Sequence, residues 1–192
     1  MNSTGQPLTQ SDLIRTYVFS GVPLDQQNAF DDGPWASLEH HFVQATRRRG
    51  RKSKNADQNE HRELNSDALD AFFRDYLMMT EGLVPERSIY EVFRAKHSLA
   101  SLSNGGAMRL VKRLTHLAGL YNIIRGTAPD PSPRLTLAFQ NLQGQVYTSS
   151  APVLLRLMEA VRPQSGPSML TEDRLEHAIN AQAGFYFSRQ DA

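Results

Sequence analysis

The chain has 192 residues, one to one and a half ordinary domains, and a single domain of that size buries roughly 70% of its unfolded surface without needing disulfides or metal to hold it. Lys and Arg number 21 against 20 Asp and Glu, a net charge of +1, so no overall field commits the protein to nucleic acid or acidic lipid, and any such role rests on local patches. There is no cysteine, which excludes disulfides, thiolate zinc sites and cysteine nucleophiles and fits a reducing, cytoplasmic setting. No basic region followed by an apolar run opens the chain and no stretch of 18 apolar residues occurs, so no membrane partner is expected.

Apolar residues recur at helical spacing almost throughout, which predicts an all-α fold: an irregular bundle of about seven helices with one long basic loop. Thr9 or Ser11 caps a first helix carrying Leu13, Ile14, Tyr17 and Val18, ended by Gly21 and Pro23. A second helical stretch breaks near Gly33 and Pro34. Pro34 suits a first helical turn, and Trp35, Leu38, Phe42 and Ala45 follow at spacings of three, four and three. Residues 46 to 66 hold one leucine and little else to bury, so folding does not offset the entropy of ordering them, and a flexible loop is expected.

Asp67 to Thr80 returns to a helix with Leu69, Phe72, Phe73, Tyr76 and Leu77, closed by Gly82. Pro85 precedes a helix with Ile89, Val92 and Phe93, and the strongest helix runs from about Ala107 to Ile124, closed by Gly126 and the proline-rich TAPDPSP. Pro133 opens a helix with Leu135, Leu137, Ala138 and Leu142. Thr148 to Val161 holds Leu154, Leu157, Met158 and Val161, with Pro152 placed in its first turn. Thr171 heads a last helix whose acidic first turn, Glu172 and Asp173, complements the helix dipole. The expected core is Phe72, Phe73, Tyr76, Leu77, Phe93, Leu114, Leu117, Tyr121, Leu154, Leu157 and Ile179.

Arg47, Arg48, Arg49, Arg51, Lys52 and Lys54 form the densest charge run, and in a mobile loop they either contact successive phosphates or simply stay solvated. His40 and His41 are adjacent on a helix and point about 100° apart, unlike an i, i+4 metal pair. Asp31 and Asp32 read as a turn or cap, and His97, His116 and His177 as isolated surface or core-edge histidines. Gly105 and Gly106 stand directly before a helix, where backbone N–H groups take an anion or the pair merely turns the chain. No catalytic or metal-ligand constellation is visible, so the chain alone is expected not to be an enzyme and to need no cofactor.

An ordered series of motifs adds to this. Asn2, Gly5, Leu8, Thr9, Asp12, Leu13, Ile14, Arg15 and Tyr17, then Trp35–Glu39 (WASLE), Leu69–Met79 (LDAFFRDYLMM), Ile89–Arg94 (IYEVFR), APVLLRLME and a terminal FYFSRQ resemble successive segments of the GmrSD-like family. These are modification-dependent restriction proteins with ParB/sulfiredoxin-like and HNH domains. Thr16 stands where that family has Asn. The resemblance implies that residues 1–45 are the tail of the ParB/sulfiredoxin-like domain with the first helices, 46–66 a basic loop, and 67–192 a helical domain. It implies that Asn2 lines a nucleotide site left incomplete without the family's D-G-Q-Q-R motif, and that Gly5 makes a tight turn. The family's HNH nuclease motifs are also missing, so nucleotide and divalent metal belong to the full-length family alone. The implied partners are DNA and the missing domains, in cis or in trans. The alternative is a protein-interaction or self-association domain. Asp12 and Arg15 are close enough for an i, i+3 pair on the first helix.

Overall fold

A computed structural model describes residues 8–46, 61–142 and 147–187. The all-helical expectation holds: 74% of the structure is helical and a two-stranded sheet is its only extended part among the described residues. The elements are α1 (Gln10–Phe19), α2 (Gln27–Phe30), α3 (Ala36–Glu39), β1 (Val43–Thr46), β2 (His61–Leu64), α4 (Ser66–Glu81), α5 (Ile89–Lys96), α6 (Leu99–Leu102), α7 (Gly106–Ile124), α8 (Pro133–Leu142), α9 (Tyr147–Val161) and α10 (Glu172–Phe187). Among these, α1, α4, α5, α7, α8, α9 and α10 run for eight residues or more, which agrees with the number of helices read from periodicity. No described helix is long and apolar enough to cross a membrane.

Helix α1 begins in a capping box. The Thr9 hydroxyl accepts from the Asp12 N–H at 3.2 Å and the Asp12 carboxylate accepts from the Thr9 N–H at 2.9 Å, so two N–H groups without helical partners are each satisfied by the other residue's side chain. Asp12 is thereby turned away from Arg15, which instead reaches Asp31 at 2.6 Å; the expected i, i+3 pair does not form. Further donors at this helix end are taken from across the fold, since Asp70 of α4 accepts from Gln10 N at 3.2 Å and Ser11 N at 2.7 Å. Gln10 in turn accepts from the Tyr90 N–H of α5 at 2.9 Å. Three helices are thus fixed in register by polar groups at their starts.

Between Gln27 and Glu39 the chain stays helical through Gly33 and Pro34 instead of breaking. It widens to a π-turn over Asp31–Trp35, with the Ala36 N–H donating to Asp31 O. Pro34 has no N–H for an ordinary i to i−4 bond, and the wider turn absorbs that loss. The helix expected to continue to Ala45 stops at Phe42. Val43–Thr46 is a strand, paired antiparallel with His61–Leu64 in the register Val43 to Leu64 and Thr46 to His61. Asn65 N donates to Phe42 O at 2.9 Å, which joins this ladder to the start of α4. The flanks of the 46–66 stretch are therefore strand and helix rather than loop. The strands are four residues long with little apolar content, too short to leave a period-two signal.

Helix α4 starts at Asn65, whose side chain accepts from Ala68 N at 3.0 Å, and ends at Gly82, where φ is +79°. Its buried face, Leu69, Phe72, Phe73, Tyr76 and Leu77, packs on α9, α5, α1 and α7. Phe72 is the aromatic centre, with ring centroids 5.3 Å from Phe42, 5.7 Å from Phe73 and 5.4 Å from Tyr121. Ten of the eleven expected core residues are buried. Leu157 is only partly covered, because α9 turns Ala151, Leu154, Leu155, Met158 and Val161 inward and leaves it at the edge. In α8 the inward stripe is Leu135, Ala138, Phe139 and Leu142, while Leu137 is exposed. Pro152 lies in the second turn of α9 rather than the first, since that helix starts at Tyr147.

Candidate nucleic-acid interface

The candidate DNA contacts Arg47, Arg48, Arg49, Arg51, Lys52 and Lys54, and the candidate nucleotide residue Asn2, lie outside the described residues. What the structure fixes is the anchorage of the basic segment. Thr46 and His61 are ladder partners, so residues 47–60 leave and re-enter the fold at one place. The opposite end of the ladder, at Val43 and Leu64, adjoins the start of α4, and there Asn122 of α7 donates to His41 O at 3.0 Å and ties the chain before β1 to that helix.

Histidines and carboxylates with chemical potential in the sequence are mostly engaged in packing. His40 is exposed, while His41 is half-buried with Nδ1 3.5 Å from the Asn122 amide. Burial, with a smaller contribution from His40, pushes the His41 imidazole below its ordinary pKa. His97 lies against Phe93 and Tyr76, and the Tyr76 hydroxyl meets its Nε2 at 2.9 Å. Burial lowers the His97 pKa from 6.5 to about 4 and raises that of Tyr76 to about 12. His116 Nε2 is 2.8 Å from Arg162 O and His177 is exposed. Asp31 is held by Arg15, and Asp32 is exposed on the π-turn. No group of three or more His, Asp or Glu among the described residues is placed to hold a metal ion.

The glycine pair before α7 is a packing device. Gly105 is left-handed at φ +79°, the Gly106 N–H donates to Ser103 O at 3.0 Å, and a Cβ on Gly106 would stand 1.8 Å from Ser101 O. The backbone of α6 occupies the space a side chain needs, so the turn is built for close approach.

Two polar centres were invisible in the sequence. Asp75 of α4 is driven above the ordinary carboxylate range mainly by burial, although Tyr121 OH donates to it at 2.8 Å and Arg74 and Arg125 pull it down. Asp130, in the proline-rich TAPDPSP, has a fully buried carboxylate. It accepts from both terminal nitrogens of Arg162, with Nη2 at 2.6 Å, and from Ser132 N at 2.7 Å. Arg162 also bonds Glu172 at 2.7 Å, so one guanidinium joins the turn before α8, the end of α9 and the start of α10. The partners are 32 residues apart in the chain, and no local motif announces them.

No family model, no curated protein and no solved structure matches the chain.

Proposed function

We propose that this chain is a non-catalytic helical module that presents a basic segment to the DNA backbone, serving as the linker and DNA-contact region of a GmrSD-like restriction protein whose nucleotide and nuclease chemistry resides elsewhere in the parent protein. The observation that carries this reading is the pairing of Thr46 with His61. It plants both ends of a 14-residue segment, 47–60, that contains six of the chain's 21 basic residues on a rigid helical core. Phosphate contact needs charge and reach rather than a shaped pocket, and two fixed ends lower the entropy lost on binding. Arg47, Arg48, Arg49, Arg51, Lys52 and Lys54 are the phosphate contacts in this proposal, and binding is blind to sequence.

The test is titration of duplex DNA at two salt concentrations with the parent and with Arg47, Arg48 and Arg49 all replaced by alanine. Each neutralised phosphate contributes roughly 0.9 to the slope of log affinity against log salt, so the slope should fall by up to about 3 while the fold survives. Equal affinities overturn the DNA reading. The chain alone should show neither nuclease nor nucleotide-hydrolysis activity, and turnover lost on mutating one of its residues overturns the non-catalytic part.

A second reading, docking of another protein or of a second copy, draws on an open apolar groove of about 180 Å³ between Val22, Pro23, Phe30, Leu102 and Met108, beside Leu24, which is 87% exposed. Sedimentation analysis separates the two: a concentration-dependent dimer lost on Leu24→Glu favours this second reading.

A further inference from the structure

We infer that the chain self-associates through a two-fold interface, in which Leu24 and Asp25 of one copy enter the apolar groove at the start of α7 in the other. This rests on the docking reading above, with a second copy of this chain as the occupant, and needs nothing of the basic segment. The groove measures about 180 Å³, room for several waters and so for the four carbons of a leucine side chain. One wall is the chain from Gly21 to Phe30. The other is Leu102 of α6 with Gly105, Ala107 and Met108 at the opening of α7.

The groove calls for an apolar side chain followed by a carboxylate. Val22, Pro23, Phe30, Leu102 and Met108 make its walls mainly apolar. At the α7 end the chemistry changes. Gly105 gives that helix no side-chain cap, and among the described residues nothing accepts from the Ala107 or Met108 N–H. Unpaired donors and the positive end of a 19-residue helix therefore stand at the groove, with no acid in the helix's own first turn. Arg109 is exposed and folds over the same turn, its Nη1 3.5 Å from where a Cβ on Gly105 would lie, and it has no ion-pair partner among the described residues.

The chain carries such a ligand on the rim of its own groove. Leu24 is 87% exposed, stands between the lining residues Pro23 and Gln26, and does not itself line the groove. Asp25 follows it, exposed and without an ion-pair partner among the described residues. Knob and groove thus share one face, with the acid on one wall and Arg109 on the other. An isologous contact requires self-complementarity of this kind. A two-fold axis between Leu24 and the groove seats each Leu24 in the other copy and brings each Asp25 to the other copy's Arg109 and α7 start. The two contacts satisfy each other, so association closes at two copies. A foreign partner would use the groove but would leave the exposed Leu24–Asp25 pair beside it without a role.

The experiment is sedimentation velocity of the full chain across a range of concentrations at low salt, repeated with Leu24→Glu, Asp25→Arg, Arg109→Asp and an equimolar mixture of the last two. The parent should form a concentration-dependent dimer. Leu24→Glu removes the apolar knob, and each charge variant sets like charges against each other at both contacts, so each should raise the dissociation constant by at least about tenfold. In the mixture both contacts again pair opposite charges, and the dimer should return. Recovery on mixing cannot come from misfolded protein. A dimer that persists in all three variants overturns this face as the interface, and monomeric variants that stay monomeric when mixed overturn the pairing of Asp25 with Arg109 and with it the two-fold seating. A parent that is monomeric at every concentration overturns the second copy and leaves the groove to a foreign partner. DNA titration of Leu24→Glu, whose basic segment is intact, reads the DNA proposal separately, so either can fail alone.

Discussion

Truncating Arg162 to alanine takes a bidentate partner from a carboxylate that has no access to water: the Asp130 side chain is 0% exposed and that of Arg162 21%. Breaking a buried pair by removing one member costs about 3–5 kcal/mol, because the remaining charge is left uncompensated. Asp130 keeps its bond from Ser132 N at 2.7 Å, and the truncated side chain admits water, so the lower end, about 3 kcal/mol, is expected. At roughly 2–4 °C per kcal/mol for a chain of this size, thermal unfolding followed by circular dichroism should move down by about 6–12 °C. The same substitution frees Glu172, but that partner is half exposed and adds little. The mechanism makes a second, sharper demand. If the loss comes from the stranded charge, adding Asp130→Asn to Arg162→Ala should restore part of it, with a coupling of about 1–3 kcal/mol in the double-mutant cycle. A melting temperature within about 2 °C of the parent, or strict additivity, would refute the assignment of this pair as the lock between the turn before α8, α9 and α10.

Phe72→Ala empties the centre of the aromatic cluster, whose ring is fully buried, and should cost about 3–5 kcal/mol in chemical denaturation; a loss under about 1 kcal/mol would mean the core is elsewhere. Gly106→Ala should destabilise more than Gly105→Ala, because its Cβ meets the Ser101 carbonyl at 1.8 Å while at Gly105 it meets only the Arg109 side chain at 3.5 Å with the left-handed φ to bear; the reverse order would sink the close-approach explanation. His97 has a folded pKa of about 4 against 6.5 unfolded, so the unfolded chain takes the proton first as pH falls. Its contribution is therefore intact above about pH 6.5, is lost between there and about pH 4, and changes no further below. The ring is only half-buried, so the amplitude is about 2 kcal/mol rather than the full shift, and an unchanged pH slope of stability in His97→Gln would remove this histidine from the account.

How far the fold was legible depends on whether a feature is repeated along one element. The stripe Leu69, Phe72, Phe73, Tyr76, Leu77 and its counterpart on α7 announce themselves because every turn of a helix restates the same burial. The hairpin does not. Val43–Thr46 and His61–Leu64 give two short samples of an alternation that needs more positions to emerge, and their pairing spans 14 intervening residues. Pro34 read as a helix start because proline is tolerated there, and the π-turn that accommodates it inside a continuous helical run leaves no mark in composition. The Gly105–Gly106 turn was legible as a turn, but its cause, the Ser101 carbonyl, is a contact between backbones. The basic run was legible as charge. The bond from Asn122 to His41 O was not, because its partners lie about 80 residues apart and share no pattern until the chain folds.

Charge placement gives the proposed DNA contact its internal logic. Segment 47–60 carries six basic residues against Asp57 and Glu60, a net +4, so the rest of the chain, with 15 basic and 18 acidic residues, is net −3. Much of that remainder is neutralised in pairs, with Arg15 on Asp31, Arg113 on Glu159, Arg134 on Asp173 and Arg162 on Asp130. A duplex approaching the core at random therefore meets paired charges and a mild excess of carboxylates, which repel it within roughly one Debye length, about 8 Å in physiological salt. On the proposed reading, attraction comes from the basic segment, whose two ends meet at the Thr46–His61 pair. On this reading a chain with a net charge of +1 would bind DNA in a defined orientation, because its charges are unevenly distributed along the sequence even though they nearly balance. Deleting residues 47–54 would turn the net charge to −5, since six cations leave with them. Binding should then vanish at every salt concentration rather than weaken, for no attractive pole of comparable density is left in the sequence.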